Sequence, residues 1–213
     1  LNASSTHSLI HLEHVDDGSP GGSWVTETLA TDAMPFQFQF DVSASGQPKL
    51  VVLDDVSGYT YHTTTSWTSL HQEIRTFNDF GTYPASSIDG NGDLHMVYSH
   101  PTIEKMYYST ETASGWSNSE ILSNANLSSP PSMWFNGADM HILYRDSSLD
   151  RLERVTKSGS TWSTASELGS GEAVGIEHVA LQVPSGPTLV ATTVNNSSVH
   201  ELQILDIDND VST

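Results

Sequence analysis

Four tryptophans, Trp24, Trp67, Trp116 and Trp162, recur at intervals of 43 to 49 residues, and similar residues flank each. The phrases read Gly22-Ser23-Trp24-Val25-Thr26-Glu27-Thr28-Leu29, Thr65-Ser66-Trp67, Ser114-Gly115-Trp116-Ser117-Asn118-Ser119-Glu120-Ile121, and Gly159-Ser160-Thr161-Trp162-Ser163-Thr164-Ala165-Ser166-Glu167-Leu168. A second phrase leads into each of the last three: Gly46-Gln47-Pro48-Lys49-Leu50-Val51-Val52-Leu53, Gly92-Asp93-Leu94-His95-Met96-Val97-Tyr98, and Gly137-Ala138-Asp139-Met140-His141-Ile142-Leu143-Tyr144. A fourth copy, Gly186-Pro187-Thr188-Leu189-Val190-Ala191-Thr192, has no Trp after it. Self-similarity at one period commits the chain to a repeat architecture, because each unit is too small to bury its own apolar surface and must be covered by its neighbours.

The unit beginning at Pro84 divides most cleanly. Ala85 to Ile88 is a short run, and Asp89-Gly90-Asn91-Gly92 is a turn of residues that tolerate positive φ. Leu94 to Tyr98 is β-prone, Ser99-His100-Pro101-Thr102 breaks it, Glu104 to Thr110 follows, Ala113-Ser114-Gly115 turns, and Trp116 to Leu122 closes the unit. Short segments between Gly/Asn/Asp/Pro turns predict an antiparallel meander. Four strands per about 46 residues, repeated around an axis, predict an all-β fold of the β-propeller type. The alternation agrees: Leu94, Met96 and Tyr98 point one way and Val97 the other, both apolar, as in a strand sandwiched between two sheets. Each repeat Trp is expected to begin the outermost strand and lie across the adjoining unit.

The run Asp89-Gly90-Asn91-Gly92-Asp93-Leu94-His95-Met96-Val97-Tyr98, followed by Met106-Tyr107-Tyr108 and Gly115-Trp116-Ser117, resembles the repeats of secreted sialidase-like (BNR-type) β-propellers. The resemblance covers about 84–168 well and 35–83 loosely. It is a likeness of blade: the Ser-x-Asp-x-Gly-x-x-Trp box of sialidases does not occur. Three units are complete, at about 35–83, 84–130 and 131–174. The N-terminal piece, 8–30, supplies the last two strands of a blade, and the C-terminal piece, 177–206, the first three. The two pieces either combine into one closing blade of a four-bladed ring or stand apart in a five-bladed one. The remaining alternatives are a part of a larger propeller and a ring completed by self-association with another copy. A single domain over 7–206 is expected, with 207–213 an acidic tail or the start of a linker.

Charge narrows the partners. With 26 acidic and 7 basic residues the net charge is −19, which repels polyanions and excludes a nucleic-acid partner. No apolar run approaches the length of a membrane span. The absence of cysteine removes disulfides, thiolate metal sites and Cys nucleophiles. Scarce Lys with abundant Asp, Ser and Thr suits an extracellular or cell-surface protein.

By analogy with other propellers, function is expected where the turns between second and third strands and the connections between blades meet at one end of the axis. The first set holds Asp54 and Asp55, Ser99 and His100, Arg145 and Asp146, and Asn195 and Asn196, after apolar strands that end at Tyr98 and Tyr144. The second set includes Phe80 and Tyr83. Aromatic faces beside acids and amides are what sugar binding uses. The candidate ligand-binding residues are therefore Asp54, Asp55, Phe80, Tyr83, Tyr98, His100, Tyr144, Arg145, Asp146 and Asn195. The expected function is extracellular recognition of neutral carbohydrate or a protein partner. The alternative is a carbohydrate-active enzyme, a sialidase-like glycosidase or polysaccharide lyase, incomplete in this chain, with Tyr98, His100 and Arg145 its best candidates. No motif assigns catalytic residues. Asp206, Asp208 and Asp210 alternate as calcium ligands do but lack the Gly and distal Glu of a calcium loop, so no cofactor is expected beyond a weak case for calcium. His95 and His141 share one repeat position, with Lys49 in their place one unit earlier, and are expected to be structural, bonded to adjacent backbone.

Overall fold

The computed structural model describes residues 8–31, 33–54, 58–63, 72–75, 82–100, 104–112, 114–123, 125, 127, 129–168, 174–183, 186–196, 199–208 and 211–212. Every regular element among them is a strand, and the strands fall into consecutive antiparallel meanders. An N-terminal hairpin pairs β1 (Ser8–Val15) with β2 (Ser23–Thr31). The first blade is β3 (Ala33–Val42), β4 (Pro48–Asp54), β5 (Gly58–Thr63) and β6 (Gln72–Arg75). The second is β7 (Thr82–Ile88), β8 (Leu94–His100), β9 (Lys105–Thr112) and β10 (Gly115–Ser123). The third is β11 (Ser132–Asn136), β12 (Asp139–Asp146) and β13 (Arg151–Ser158), with a broken outer strand, β14 (Thr161–Trp162) and β15 (Ser166–Leu168). The fourth is β16 (Val174–Gln182), β17 (Thr188–Asn196), β18 (Val199–Asp206) and the short β19 (Val211–Ser212).

This is a β-propeller architecture of four-stranded blades. The terminal pieces do not merge: the C-terminal blade completes itself with β19, and the hairpin forms its own two-stranded sheet. The expected boundary at 206/207 therefore falls inside a sheet. Ile207 is buried, its N–H reaches the Thr188 carbonyl, and Asp206 faces Val211 across the last strand pair. Of the expected tail 207–213, Ile207 and Asp208 are tied to Thr188 and Val211 and Ser212 pair with β18, while 209, 210 and 213 lie outside the described residues.

First strands adjoin from blade to blade, β3 beside β7, β7 beside β11 and β11 beside β16, which places the first strands innermost. Alternation along the second strands decides which surface each blade offers. Leu94, Met96 and Tyr98 cluster with Val51 of the preceding blade, while Val97 joins Met140, Ile142 and Tyr144 of the following one. The third blade repeats the rule: Leu143 turns forward to Val190, Leu205 and Ile207. Leu94, Met96, Val97, Ile142 and Leu143 are wholly inaccessible to solvent, because a sheet with two apolar faces is stable only when both are covered.

The repeat tryptophans do what their position predicts in two blades. Trp116, at the start of β10, packs on the Val51–Leu94–Met96–Tyr98 cluster. Trp162 meets the Tyr108 ring edge-on at 5.4 Å across the second and third blades. Trp24 differs: it begins β2 but is 67% exposed. Trp67 lies outside the described residues. The Asp89 turn is held by its carboxylate, which accepts from the N–H groups of Asn91 (2.9 Å) and Asp93 (2.8 Å), with Gly92 at φ 90° supplying the left-handed residue.

The shared position of Lys49, His95 and His141 is structural, with side chains rather than backbone as partners. Lys49 is buried and crosses to Glu111 of the second blade at 2.5 Å. His95 shares a hydrogen bond with the Tyr108 hydroxyl (2.5 Å) and meets Phe135 edge-on, and His141 bonds Thr156 (3.1 Å) and stacks on Trp134. Burial holds both imidazoles below their ordinary value; the Asp89 carboxylate opposes this for His95, whereas the Arg154 charge adds to it for His141. The unfolded chain then takes up protons near pH 6.5 while the folded chain does not. Their stabilising contribution is complete above that pH and declines as pH falls below it. Urea midpoints should drop between about pH 8 and about pH 5.5, and a His95→Gln/His141→Gln variant should flatten that slope.

Candidate functional site

The ends of the second strands and the inter-blade connections share one end of the propeller, as expected. Thr82, which opens β7, pairs with Ser99 near the end of β8, and Ser123, which closes β10, pairs with Lys105 at the start of β9. The residues read as turns are strand termini: Asp54 pairs with Gly58, His100 with Lys105, Asp146 with Arg151 and Asn196 with Val199. Hydrogen bonding to the third strand carries β8, β12 and β17 two residues past their last apolar side chain and β4 one residue past Leu53.

The predicted ligand-binding residues separate into three groups. Tyr98 and Tyr144 are buried: Tyr98 stacks on Tyr107 (5.7 Å, 20°), and the Tyr144 hydroxyl donates to Glu153 at 2.6 Å. They belong to the inter-blade cores and offer no ring face at the open end. Burial and the adjacent Glu153 carboxylate push the Tyr144 hydroxyl far up, so it stays a proton donor. Arg145, Asp146 and Tyr83 do lie at this end. Asp146 is buried and accepts from Ser148 N–H (2.8 Å), Ser148 Oγ (2.5 Å) and Leu149 N–H (3.2 Å), which makes it the organiser of the turn into β13. Arg145 is salt-bridged to the exposed Asp150. Asp55 and Phe80, and the side chains of Asp54, His100 and Asn195, lie outside the described residues.

Three features of this end had no signal in the repeat. Tyr83 sits at φ 56° immediately before Pro84, a conformation unfavourable for a bulky residue, and is held there by packing on the core cluster that contains Ala85 and Val97. Glu104 and Asp150, each the last residue of a turn between second and third strands, are also left-handed, at φ 50° and 53°. The connection between the second and third blades is stitched to both turns: Ala125 N–H reaches the Glu104 carbonyl at 2.7 Å, and Leu127 bridges Asp146. Glu153 is the fourth omission. Buried, it accepts from Tyr144 and from Arg151 (2.5 Å), which also reaches Glu167 at 3.0 Å. The register that sets Tyr144 opposite Glu153 could have found it, because a buried carboxylate needs such donors.

The proposed calcium ligands are spent on the fold. Asp208 accepts from Thr188 N–H (2.7 Å), Asp206 from Asp208 N–H (3.2 Å), and Asp210 lies outside the described residues. Among the described residues no group of three or more His, Asp or Glu side chains is arranged to hold a metal ion.

Neither a protein-family model nor a curated protein sequence matches this chain. Solved structures do, at the level of fold. A protein of unknown function from Dyadobacter fermentans aligns over 88% of this chain and 66% of its own, with 13% identity and a TM-score of 0.60. A family-43 β-1,3-galactosidase aligns over 100% of this chain and 57% of its own (8% identity, TM-score 0.57). An exo-β-1,3-galactanase from Phanerochaete chrysosporium, solved with β-1,3-galactotriose, aligns over 100% and 61% (10% identity, TM-score 0.53). The chain thus spans less than two thirds of the length of each of these three. The propeller part of the expected resemblance holds, and two of these three structures that share it are glycoside hydrolases.

Proposed function

We propose that this chain is a carbohydrate-recognition module that binds neutral oligosaccharide at the end of the propeller formed by the turns between second and third strands. One observation carries the reading: among the described residues the second strands end in polar or charged residues at that end, Asp54, Ser99/His100, Arg145/Asp146 and Asn195/Asn196, above cores that are otherwise apolar. Of the described groups there, Asp146 is taken by its turn and Ser99 is buried, which leaves the Arg145–Asp150 pair and the exposed Glu104 as the groups offered to sugar hydroxyls. The fold shared with family-43 galactan-cleaving enzymes supports a carbohydrate ligand over a protein one. Extracellular placement fits the same reading, because the acidic surface is best tolerated where salt screens it.

Binding is favoured over hydrolysis by the state of the carboxylates. Glycoside cleavage uses a pair of carboxyl groups facing the scissile bond. Among the described carboxylates at this end, Asp146 is taken by its turn, Asp150 by Arg145 and Glu153 by Tyr144 and Arg151, and Glu104 stands exposed. The test is binding of β-1,3-linked galacto-oligosaccharides and a panel of other neutral glycans, with and without calcium. Saturable binding is expected, and Arg145→Ala should weaken it about tenfold, equivalent to about 1.4 kcal/mol, with an unchanged circular-dichroism spectrum. A panel without any binder removes the proposal, and release of reducing sugar transfers the chain to the enzyme reading.

A further inference from the structure

Asparagine followed by glycine occurs twice, as Asn91-Gly92 between β7 and β8 and as Asn136-Gly137 between β11 and β12. Both turns lie at the end of the propeller away from the turns between second and third strands, and both asparagines are exposed. This dipeptide is open to attack on itself, because glycine has no Cβ to shield its backbone nitrogen or to restrict the turn. The nitrogen loses its proton to solvent and bonds to the asparagine Cγ, and the Cγ–Nδ2 bond breaks with release of ammonia. Water then opens the cyclic imide at either carbonyl. The product is aspartate, or isoaspartate when the bond cut is the former peptide bond, and water is the only co-reactant.

The two turns treat that attack differently. Gly92 N–H, which carries the attacking nitrogen, donates to the Asp89 carbonyl at 3.0 Å. The Asp89 carboxylate accepts from the Asn91 backbone N–H at 2.9 Å and from the Asn91 side-chain amide at 3.3 Å, so nucleophile and leaving group are both held. The turn from β11 to β12 is shorter. Asn136 pairs directly with Asp139, leaving only Gly137 (φ 63°) and Ala138 between them, both exposed. Neither Gly137 N–H nor the Asn136 side chain has a hydrogen-bond partner among the described residues. We propose that Asn136 is a site of spontaneous deamidation in the folded protein, while the Asp89 clamp protects Asn91.

Conversion sets a new negative charge directly opposite Asp139, on a chain already at −19, and like charges so placed weaken a strand pair. Isoaspartate also routes the main chain through the former side-chain methylene, which lengthens the turn. The preceding residues, Trp134 and Phe135, pack toward the fourth and the second blade, so a shift of β11 is felt at both junctions.

The test is to hold the full chain folded at mildly alkaline pH and map its peptides over time by mass spectrometry, with electron-transfer fragmentation separating isoaspartate from aspartate. Asn136 should convert at least about tenfold faster than Asn91, the factor expected when one turn must first give up hydrogen bonds that the other lacks. In urea, where both turns are lost, the two rates should converge. Asp89→Ala, with circular dichroism confirming intact sheets, should raise the Asn91 rate toward that of Asn136. Equal rates in the folded chain, faster conversion at Asn91, or conversion of Asn136 only in urea overturns the inference. A folded Asp89→Ala variant in which Asn91 reacts as slowly as before overturns the clamp.

Discussion

Leu143→Ala is expected to lower unfolding stability by about 4 kcal/mol, within the range of about 2–5 kcal/mol for truncating a fully buried leucine. Leu143 has no accessible surface and sits where the third blade meets Val190, Leu205 and Ile207 of the fourth. Alanine leaves a gap between two sheets whose backbones are each fixed by their own ladders, so neither can close on the other. The loss should therefore fall at the upper part of the range. Leu149→Ala, in the exposed turn at the end of the same blade, should stay within about 0.5 kcal/mol. Denaturant midpoints at unchanged m-value are the measurement, and equal effects at the two positions would refute the inter-blade core.

Glu111→Ala should cost nearly as much, about 2–4 kcal/mol, and more than its partner's removal. The Glu111 carboxylate receives the buried Lys49 ammonium at 2.5 Å from the first blade and the Leu94 N–H at 3.2 Å within its own. Taking it away leaves a buried cation without its carboxylate and a buried N–H without its acceptor. The estimate stands somewhat below the full cost of breaking a buried pair because the Glu111 side chain is 23% exposed. Lys49→Met is milder, about 1 kcal/mol, since methionine fills the same space and Glu111 keeps the Leu94 bond and some contact with water. Chemical denaturation of both variants decides the order, and a greater loss in Lys49→Met would contradict it.

The blades were legible because their causes are local and repeated. Turn residues such as Asp89 and Gly92 announce themselves, and the alternation of Leu94, Met96, Val97 and Tyr98 forecasts which neighbours each meets. The fate of 207–208 and 211–212 was not legible, since Asp206, Asp208 and their neighbours look like a solvated run until Thr188 N–H, twenty residues away, and the edge of β18 supply partners. That the candidate residues gather at one end was legible, but the surroundings of each were less so. Tyr98 and Tyr144 have the composition of a sugar platform, yet strand pairing turns them into the cores, while Asp146 and Arg145 go to the turn. The left-handed Tyr83, Glu104 and Asp150 follow from how connections cross the end of the molecule, which no single repeat encodes.

The backward and forward surfaces of the second strands give the propeller a grammar for change. Because odd and even positions serve different neighbours, a one-residue insertion in β8 or β12 would exchange the two sides and spoil both junctions at once. A whole unit gained or lost leaves every front meeting a back. Descent by duplication and deletion of complete blades is thus the cheap route to a longer or shorter relative, and drift within a strand is the expensive one.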